Sequence, residues 1–288
     1  MFAPDQYRLI DFGDGRKLES FGTVWLDRPA PAARGARQAK PVWSQAHARF
    51  TGRSLGSRGT WDLRRSFEQP WTLTWGPDPW IRLELNCNPF GHVGVFPEQS
   101  GNWRWLLDTI TQSGDECRVL NLFAYTGAAT LVAAAAGATV THVDAAASIV
   151  KKARRNAELS DLHDHAIHWI VEDAVRYVER ECRRGRRYQG IILDPPAYGR
   201  GGRGRSWQLR RDLPKLIAGC LRLLQDEPRF FLLSCHEKGW GPRELRGYLR
   251  DNTDFSWVPA TQFVSLEVST DDGRKLPSGV AARWSESL

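Results

Sequence analysis

The chain has 288 residues, 40 Lys+Arg against 33 Asp+Glu (net charge +7) and 41% hydrophobic residues, ordinary proportions that exclude disordered, collagen-like and fibrous classes. The longest apolar run, Thr130 to Val140, is mostly alanine and far short of the roughly 20 residues of a membrane span, and no basic-then-apolar leader opens the chain. Five cysteines (87, 117, 182, 220, 235) without a CxxC pair argue against a disulfide framework or a zinc site, so a cytoplasmic protein with no membrane or metal partner is expected.

The first hundred residues read as short strands broken by turns. Gly22–Leu26, Trp71–Trp75 and Trp80–Leu85 alternate apolar and polar side chains, with loops over Arg28–Gln38 and Thr51–Gly59. Most tryptophans fall before position 106 and are expected in the core of a small β-rich domain spanning 1–98.

From about Ser100 strands and helices alternate. Helices are predicted at Asn102–Thr111, Ala128–Ala136, Ser148–Leu159, Ala174–Arg183, Leu209–Leu224 and Glu244–Asn252. Strands are predicted at Arg118–Phe123, Thr139–Val143, Ile167–Val171, Gly190–Leu193, Arg229–Ser234, Thr261–Val268 and Gly279–Trp284. This succession predicts an α/β fold over 99–288, a doubly wound, mostly parallel sheet whose ligands sit at the carboxyl ends of the strands.

The residues that follow each strand therefore carry the chemistry. Asn121-Leu-Phe-Ala-Tyr-Thr-Gly127 follows the first, and Gly127 lets the backbone approach a ligand; it is neither GxGxxG nor a P-loop. The second ends in Asp144, placed to accept both hydroxyls of a ribose. Glu172-Asp173-Ala174 follows the third, where Asp173 also suits a helix N-cap. Asp194-Pro195-Pro196-Ala197-Tyr198 follows the fourth, a stiff loop lacking two N–H donors. The histidines at 47, 92, 142, 163, 165 and 168 lack acid or cysteine partners at metal spacing and read as surface or helix-end residues.

This order of strand-end residues resembles the class I S-adenosylmethionine-dependent methyltransferases, with their Rossmann-like fold. More closely, it is similar to the family that methylates large-subunit ribosomal RNA at cytosine C5 or guanine N7. The resemblance rests on residues 121–127, His142-Val-Asp144, the Lys151–Leu159 helix, Glu172–Ala174, Leu193–Tyr198 and Leu232-Leu-Ser-Cys-His236, with Val95–Gln99 upstream. It implies S-adenosyl-L-methionine as cofactor, with Asn121, Phe123, Thr126 and Gly127 along its methionine part, Asp144 on the ribose, Asp173 and Ala174 at the adenine, and Gln99 nearby. It places Asp194, Pro195 and Pro196 at the transfer site.

The methylated atom stays open at this point. Tyr198 suits stacking on a flipped base. Methylation of cytosine C5 needs a thiolate, and the resembling cytosine enzymes keep theirs where this chain has Cys235, with His236 beside it. The guanine-N7 relatives instead place Asn at this point, followed by a basic residue, Gly and an aromatic; this chain lacks the Asn but has Lys238-Gly-Trp240. A methyltransferase of the same fold acting on a small molecule or protein is the alternative.

The distribution of charge speaks for RNA. Residues 180–211 hold ten arginines against two acids, a larger excess than the net charge of the whole chain. Five precede Asp194 (180, 183, 184, 186, 187) and five follow it (200, 203, 205, 210, 211), the latter beginning in a Gly-rich loop, Gly199–Arg205, expected to be mobile without a polyanion. RNA is thus expected at the Arg-rich flanks of Asp194.

Overall fold

In the computed structural model, residues 2–76, 81–112, 117–200, 206–224 and 227–286 are described. They form two compact units, Met1–Ser100 with Glu267–Ser278, and Gly101–Leu266 with Gly279–Leu288.

The first unit holds β1 (Tyr7–Gly13), β2 (Arg16–Phe21), β3 (Val24–Pro29), β4 (Ala48–Phe50) and β5 (Trp61–Leu63) in one sheet of that order, and a separate hairpin of β6 (Trp71–Trp75) and β7 (Ile81–Leu85). Phe21, Phe50 and Trp75 are fully buried, and Trp43 nearly so. A buried carboxylate organises the first two turns: Glu19 accepts from the Tyr7 hydroxyl (2.9 Å) and Arg28 Nε (2.8 Å) and lies 2.9 Å from Lys17 Nζ. β1, β2, β4 and β5 go unpredicted from sequence: the inward faces of β1 and β2 mix buried charged residues with apolar ones, and β4 and β5 are three residues long, too short to show a period. Trp80, expected to open β7, lies outside the described residues.

The second unit alternates as predicted: α1 (Ser100–Gln112), β8 (Arg118–Leu122), α2 (Ala128–Ala135), β9 (Thr139–Asp144), α3 (Ala147–Leu159), β10 (Ile167–Val171), α4 (Ala174–Arg183) and β11 (Gly190–Leu193). A small hairpin, β12 (Tyr198–Arg200) with β13 (Ser206–Gln208), interrupts this rhythm. It stands where an open loop is expected; residues 201–205 of that loop lie outside the described residues. Then come α5 (Leu209–Leu223), β14 (Phe230–Cys235), α6 (Pro242–Asn252), β15 (Gln262–Ser269) and β16 (Lys275–Ser285).

Seven strands pair in the order β10-β9-β8-β11-β14-β16-β15, parallel from β10 to β14 and antiparallel between β14 and β16. The central strands are buried on both faces, hence their continuous apolar runs. Leu120, Leu122, Ile191, Leu193, Phe231 and Leu233 pack with α4, α5 and α6. On the other face Asn121 and His142 bond Thr130 of α2, and Asn102 of α1 bonds Ser234. Strand order reverses between β8 and β11, which makes their carboxyl ends the switch point. His142, expected at the surface, is fully buried: it lies inside a strand covered on both sides, and burial first, then the Arg154 charge, lowers its pKa to about 3.

β11 runs close to its neighbour because it opens on a glycine. A Cβ at Gly190 would stand 2.2 Å from the Phe230 ring, whereas Gly247 of α6 has nothing within 4 Å. Gly190→Ala is expected to lower stability by about 1–3 kcal/mol through overpacking, and Gly247→Ala to raise it by up to about 1 kcal/mol through helix propensity. Urea unfolding of both variants checks the contrast.

Candidate functional site

The loop from β8 to α2 is built from left-handed residues: Phe123 (φ 55°), Tyr125 (φ 48°) and Gly127 (φ 89°). The two that carry a Cβ are strained by about 1–2 kcal/mol each. Three contacts hold them. The Tyr125 N–H donates to Asp144 Oδ2 (3.0 Å), the Ala124 N–H to the Val143 carbonyl (3.1 Å), and the buried Asn156 side chain to the Thr126 carbonyl (2.8 Å). Gly127 itself admits α3, since a Cβ there would lie 3.1 Å from that of Ala153.

Asp144 closes β9 with both oxygens oriented, Oδ2 by Tyr125 and Oδ1 by the Ala146 N–H at 3.0 Å. Burial raises its pKa from the usual aspartate value, with backbone N–H groups of Ala146, Tyr125 and Ala145 opposing. An ionised carboxylate with lone pairs remaining on both oxygens fits two vicinal hydroxyls. Asp173 caps α4, its Oδ1 accepting from the Arg176 N–H at 3.1 Å, and Ala174 follows, buried, as the first helical residue. Asp194 leaves β11 partly exposed, 3.2 Å from His236 Nε2. Pro195 is buried and Pro196 exposed. Tyr198 is 74% exposed, a large aromatic face left in solvent two residues past the prolines.

The structure thus brings Phe123, Gly127, Asp144, Asp173, Asp194 and the prolines to one end of the sheet. Two other expected residues turn inward. The Asn121 side chain is buried and donates to Thr130 Oγ1 at 2.9 Å, and Thr126 is buried, contributing its carbonyl to Asn156. Gln99 is buried in the short 3-10 turn Pro97–Gln99 of the first unit.

Trp207, which carries no sequence signal, and His236, expected beside Cys235, complete the arrangement. Trp207 of β13 donates Nε1–H to the Pro196 carbonyl (2.7 Å), and its ring lies 5.2 Å from that of Phe123, joining the prolines to the β8–α2 loop. His236 faces Asp194 rather than serving Cys235, as the alternation of an extended chain makes natural. Among the described residues no group of three or more His, Cys, Asp or Glu is placed to hold a metal ion, and no helix is long and apolar enough to cross a membrane.

Cys235 is the last residue of β14 and is wholly buried in the cluster with Leu245 and Leu249 of α6. Burial first, then the charges of Asp194 and Glu237, push its thiol well above the ordinary cysteine range. A thiolate is disfavoured there by both desolvation and like charge. Iodoacetamide at neutral pH is therefore expected to leave Cys235 unmodified in the folded protein and to alkylate it fully in denaturant, read by peptide mass spectrometry.

The arginines divide in a way the linear sequence conceals. Arg180–Arg187 end α4 and lead into the amino end of β11, whereas Asp194 follows its carboxyl end. Four strand residues carry the chain about 13 Å, so these five arginines do not flank Asp194; only Arg200 onward follow it on the same side, with Arg203 and Arg205 outside the described residues.

The chain is similar to known proteins. The family model described as conserved hypothetical protein 95 matches residues 104–203. A ribosomal RNA large subunit methyltransferase K/L of Magnetococcus marinus is 32% identical over 150 residues, 51% of this chain and 20% of the relative. The ribosomal RNA large subunit methyltransferase K of Neisseria meningitidis serogroup B is 36% identical over 146 residues, 50% of this chain and 40% of the relative. The chain thus spans between a fifth and two fifths of the length of these curated relatives. The crystal structure of a SAM-dependent methyltransferase from Agrobacterium tumefaciens superposes with a TM-score of 0.87 at 34% identity, over 97% of this chain and 90% of that one. With a match that covers both chains almost end to end, on a sheet whose switch point carries these acids, the protein belongs to the S-adenosylmethionine-dependent methyltransferases.

Proposed function

We propose that the protein methylates a nucleobase of ribosomal RNA, and that the acceptor is guanine N7 rather than cytosine C5. The buried Cys235 carries this choice. Cytosine C5 is a poor nucleophile that needs a thiolate added at C6, and the one cysteine at this end of the sheet is enclosed and held protonated beside Asp194. Guanine N7 has its own lone pair and needs no nucleophile from the protein. Relatives named as ribosomal RNA methyltransferases support the RNA part of the reading, and the Lys238-Gly-Trp240 pattern supports the guanine-N7 part.

S-adenosylmethionine supplies an electrophilic methyl group on a sulfonium. The N7 lone pair forms the new N–C bond as the S–C bond breaks, sulfur leaves neutral, and the positive charge passes to the guanine ring. No proton has to be removed. The residues of the chain are therefore assigned to holding and aligning. Asp144 takes the ribose hydroxyls, and Asp173 keeps one oxygen for the adenine side while capping α4 with the other. Phe123 and Gly127 present the β8–α2 loop. Asp194 faces the charge that develops on the base, with His236 Nε2 3.2 Å away. Tyr198 offers a stacking surface to a base taken out of its helix.

Incubation with isotopically labelled cofactor and large-subunit rRNA, followed by nucleoside mass spectrometry, is expected to yield 7-methylguanosine. The appearance of 5-methylcytidine instead would overturn the reading. Cys235→Ala is expected to keep transfer within about threefold, where loss of a true covalent nucleophile costs orders of magnitude.

Asp144→Ala is expected to weaken cofactor binding by about 10–100-fold, the worth of charge-assisted hydrogen bonds. Because the Asp144 pKa is raised, its ionised form is lost early as pH falls. Wild-type affinity, measured by calorimetry, should thus begin to decline at a pH above that of an ordinary aspartate titration.

A further inference from the structure

The arginines that precede β11 converge on a cleft of about 340 Å³ at the amino ends of the strands, on the α4 face of the sheet. Arg118 enters from the start of β8, Arg180 and Arg184 from α4, and Arg186 and Arg187 from the segment before β11; Glu181 is the one acid in its wall. Five guanidinium groups around one small volume repel one another, and Glu181 in the wall with Glu172 behind Arg180 leaves three positive charges unbalanced.

Helix electrostatics explains part of this gathering. Arg180, Arg183 and Arg184 end α4, where cations are favoured. It does not explain why Arg118, Arg186 and Arg187 arrive at the same place from two other segments. Nor is the arrangement loose. Glu181, 5% exposed, accepts from Arg180 Nε (3.3 Å) and Arg184 Nη1 (3.2 Å) at once. Arg180 also binds Glu172 and lies 4.7 Å over the Tyr177 ring. Behind them, the Tyr177 and Tyr188 hydroxyls meet at 3.2 Å, and Tyr188 also bonds Thr141. A buried carboxylate thus fixes two guanidinium forks at the wall of a cleft backed by hydroxyls. Arg184 stays 59% exposed, with most of its donors turned to solvent.

We propose that this cleft binds phosphate groups, and that they belong to the backbone of the RNA substrate, engaged at the end of the sheet opposite the methyl-transfer site. Guanidinium forks match phosphate oxygens bidentately, and hydroxyls donate to the oxygens that remain. The assignment to RNA rests on the ribosomal RNA reading above; the assignment to phosphate does not. Asp194 lies past the carboxyl end of β11 and the cleft at the amino ends of the strands, so the cleft positions RNA without touching the reacting base.

The test compares the full chain with Arg184→Ala/Arg186→Ala and with a control of equal charge change, Arg155→Ala/Arg250→Ala, whose exposed side chains lie on α3 and α6. Binding of a fluorescein-labelled mixed-sequence RNA hairpin is followed by anisotropy over a salt series. Inorganic pyrophosphate is titrated separately by calorimetry, and cofactor affinity reports on folding.

The cleft variant is expected to lose RNA affinity about tenfold and to reduce the slope of log K against log salt by about 1.4–1.8, two phosphate contacts. The control and the cofactor affinity should not move. If pyrophosphate binding depends on the cleft and RNA binding does not, the phosphate site stands and its RNA source is overturned. If the wild type binds no RNA while its pyrophosphate binding is lost in the cleft variant, the ribosomal RNA reading fails and the cleft survives. If neither probe distinguishes the cleft variant from the control, the site is overturned.

Discussion

A hydrogen bond from backbone to carboxylate, set beside the Ala124-to-Val143 backbone bond, joins the two loops on which the site depends. The Tyr125 N–H reaches Asp144, and with it the β8–α2 loop is tied to the end of β9. With the Ala124-to-Val143 and Asn156-to-Thr126 bonds, that acceptor keeps Phe123 and Tyr125 in the left-handed region, which is unfavourable for both. The same bond has a second effect: it orients Asp144 and opposes the rise in its pKa that burial produces. Strain in one strand-end loop and charge in the next are thus held by a common contact, an arrangement that persists only where the surroundings over-determine it.

The parallel sheet imposes the next constraint. Every strand from β10 to β14 points its carboxyl end the same way, so all the acids gather at one end and the segments entering the strands gather at the other. Asp144, Asp173 and Asp194 make the first end acidic. Arg118 and Arg180–Arg187 make the second basic. A cationic sulfonium is suited to the acidic end, where basic side chains would oppose it, while a polyanion needs the reverse. Separating the two by the length of a strand lets one domain present both surfaces without mutual neutralisation.

Much of this was legible in the sequence, for a physical reason. The central strands are buried on both faces and the helices on one, so their apolar periods differ and their boundaries are sharp, as in Gly190–Leu193 and Ala174–Arg183. The strand-end acids followed once the strands were placed. The pairing of β12 with β13 was not legible, because three-residue strands on either side of a Gly-rich stretch of sequence show no period. The arginines misled because nearness along the chain is not nearness in space: Arg187 and Asp194 are seven residues apart but on opposite sides of a strand. Cys235 was rightly placed at a strand end. Its burial depends on α6 returning over it with Leu245 and Leu249, a tertiary contact that no local pattern announces.

That burial bears on the chemistry as a whole. β14 lies between β11 and β16, and its side chains alternate between the two faces of the sheet. Cys235 belongs to the α4–α6 face, so His236 turns toward Asp194. The parity of one strand thereby decides which residue of the pair meets the transfer site: a thiol facing it would provide a nucleophile, an imidazole facing it provides a partner for a carboxylate. On the proposed reaction this is the useful choice. The charge lost by the sulfonium reappears on the guanine ring, and what must stand beside that ring is a fixed anion. Asp194, carried on a loop stiffened by two prolines and anchored through Trp207, is such an anion, already in place before the charge arrives.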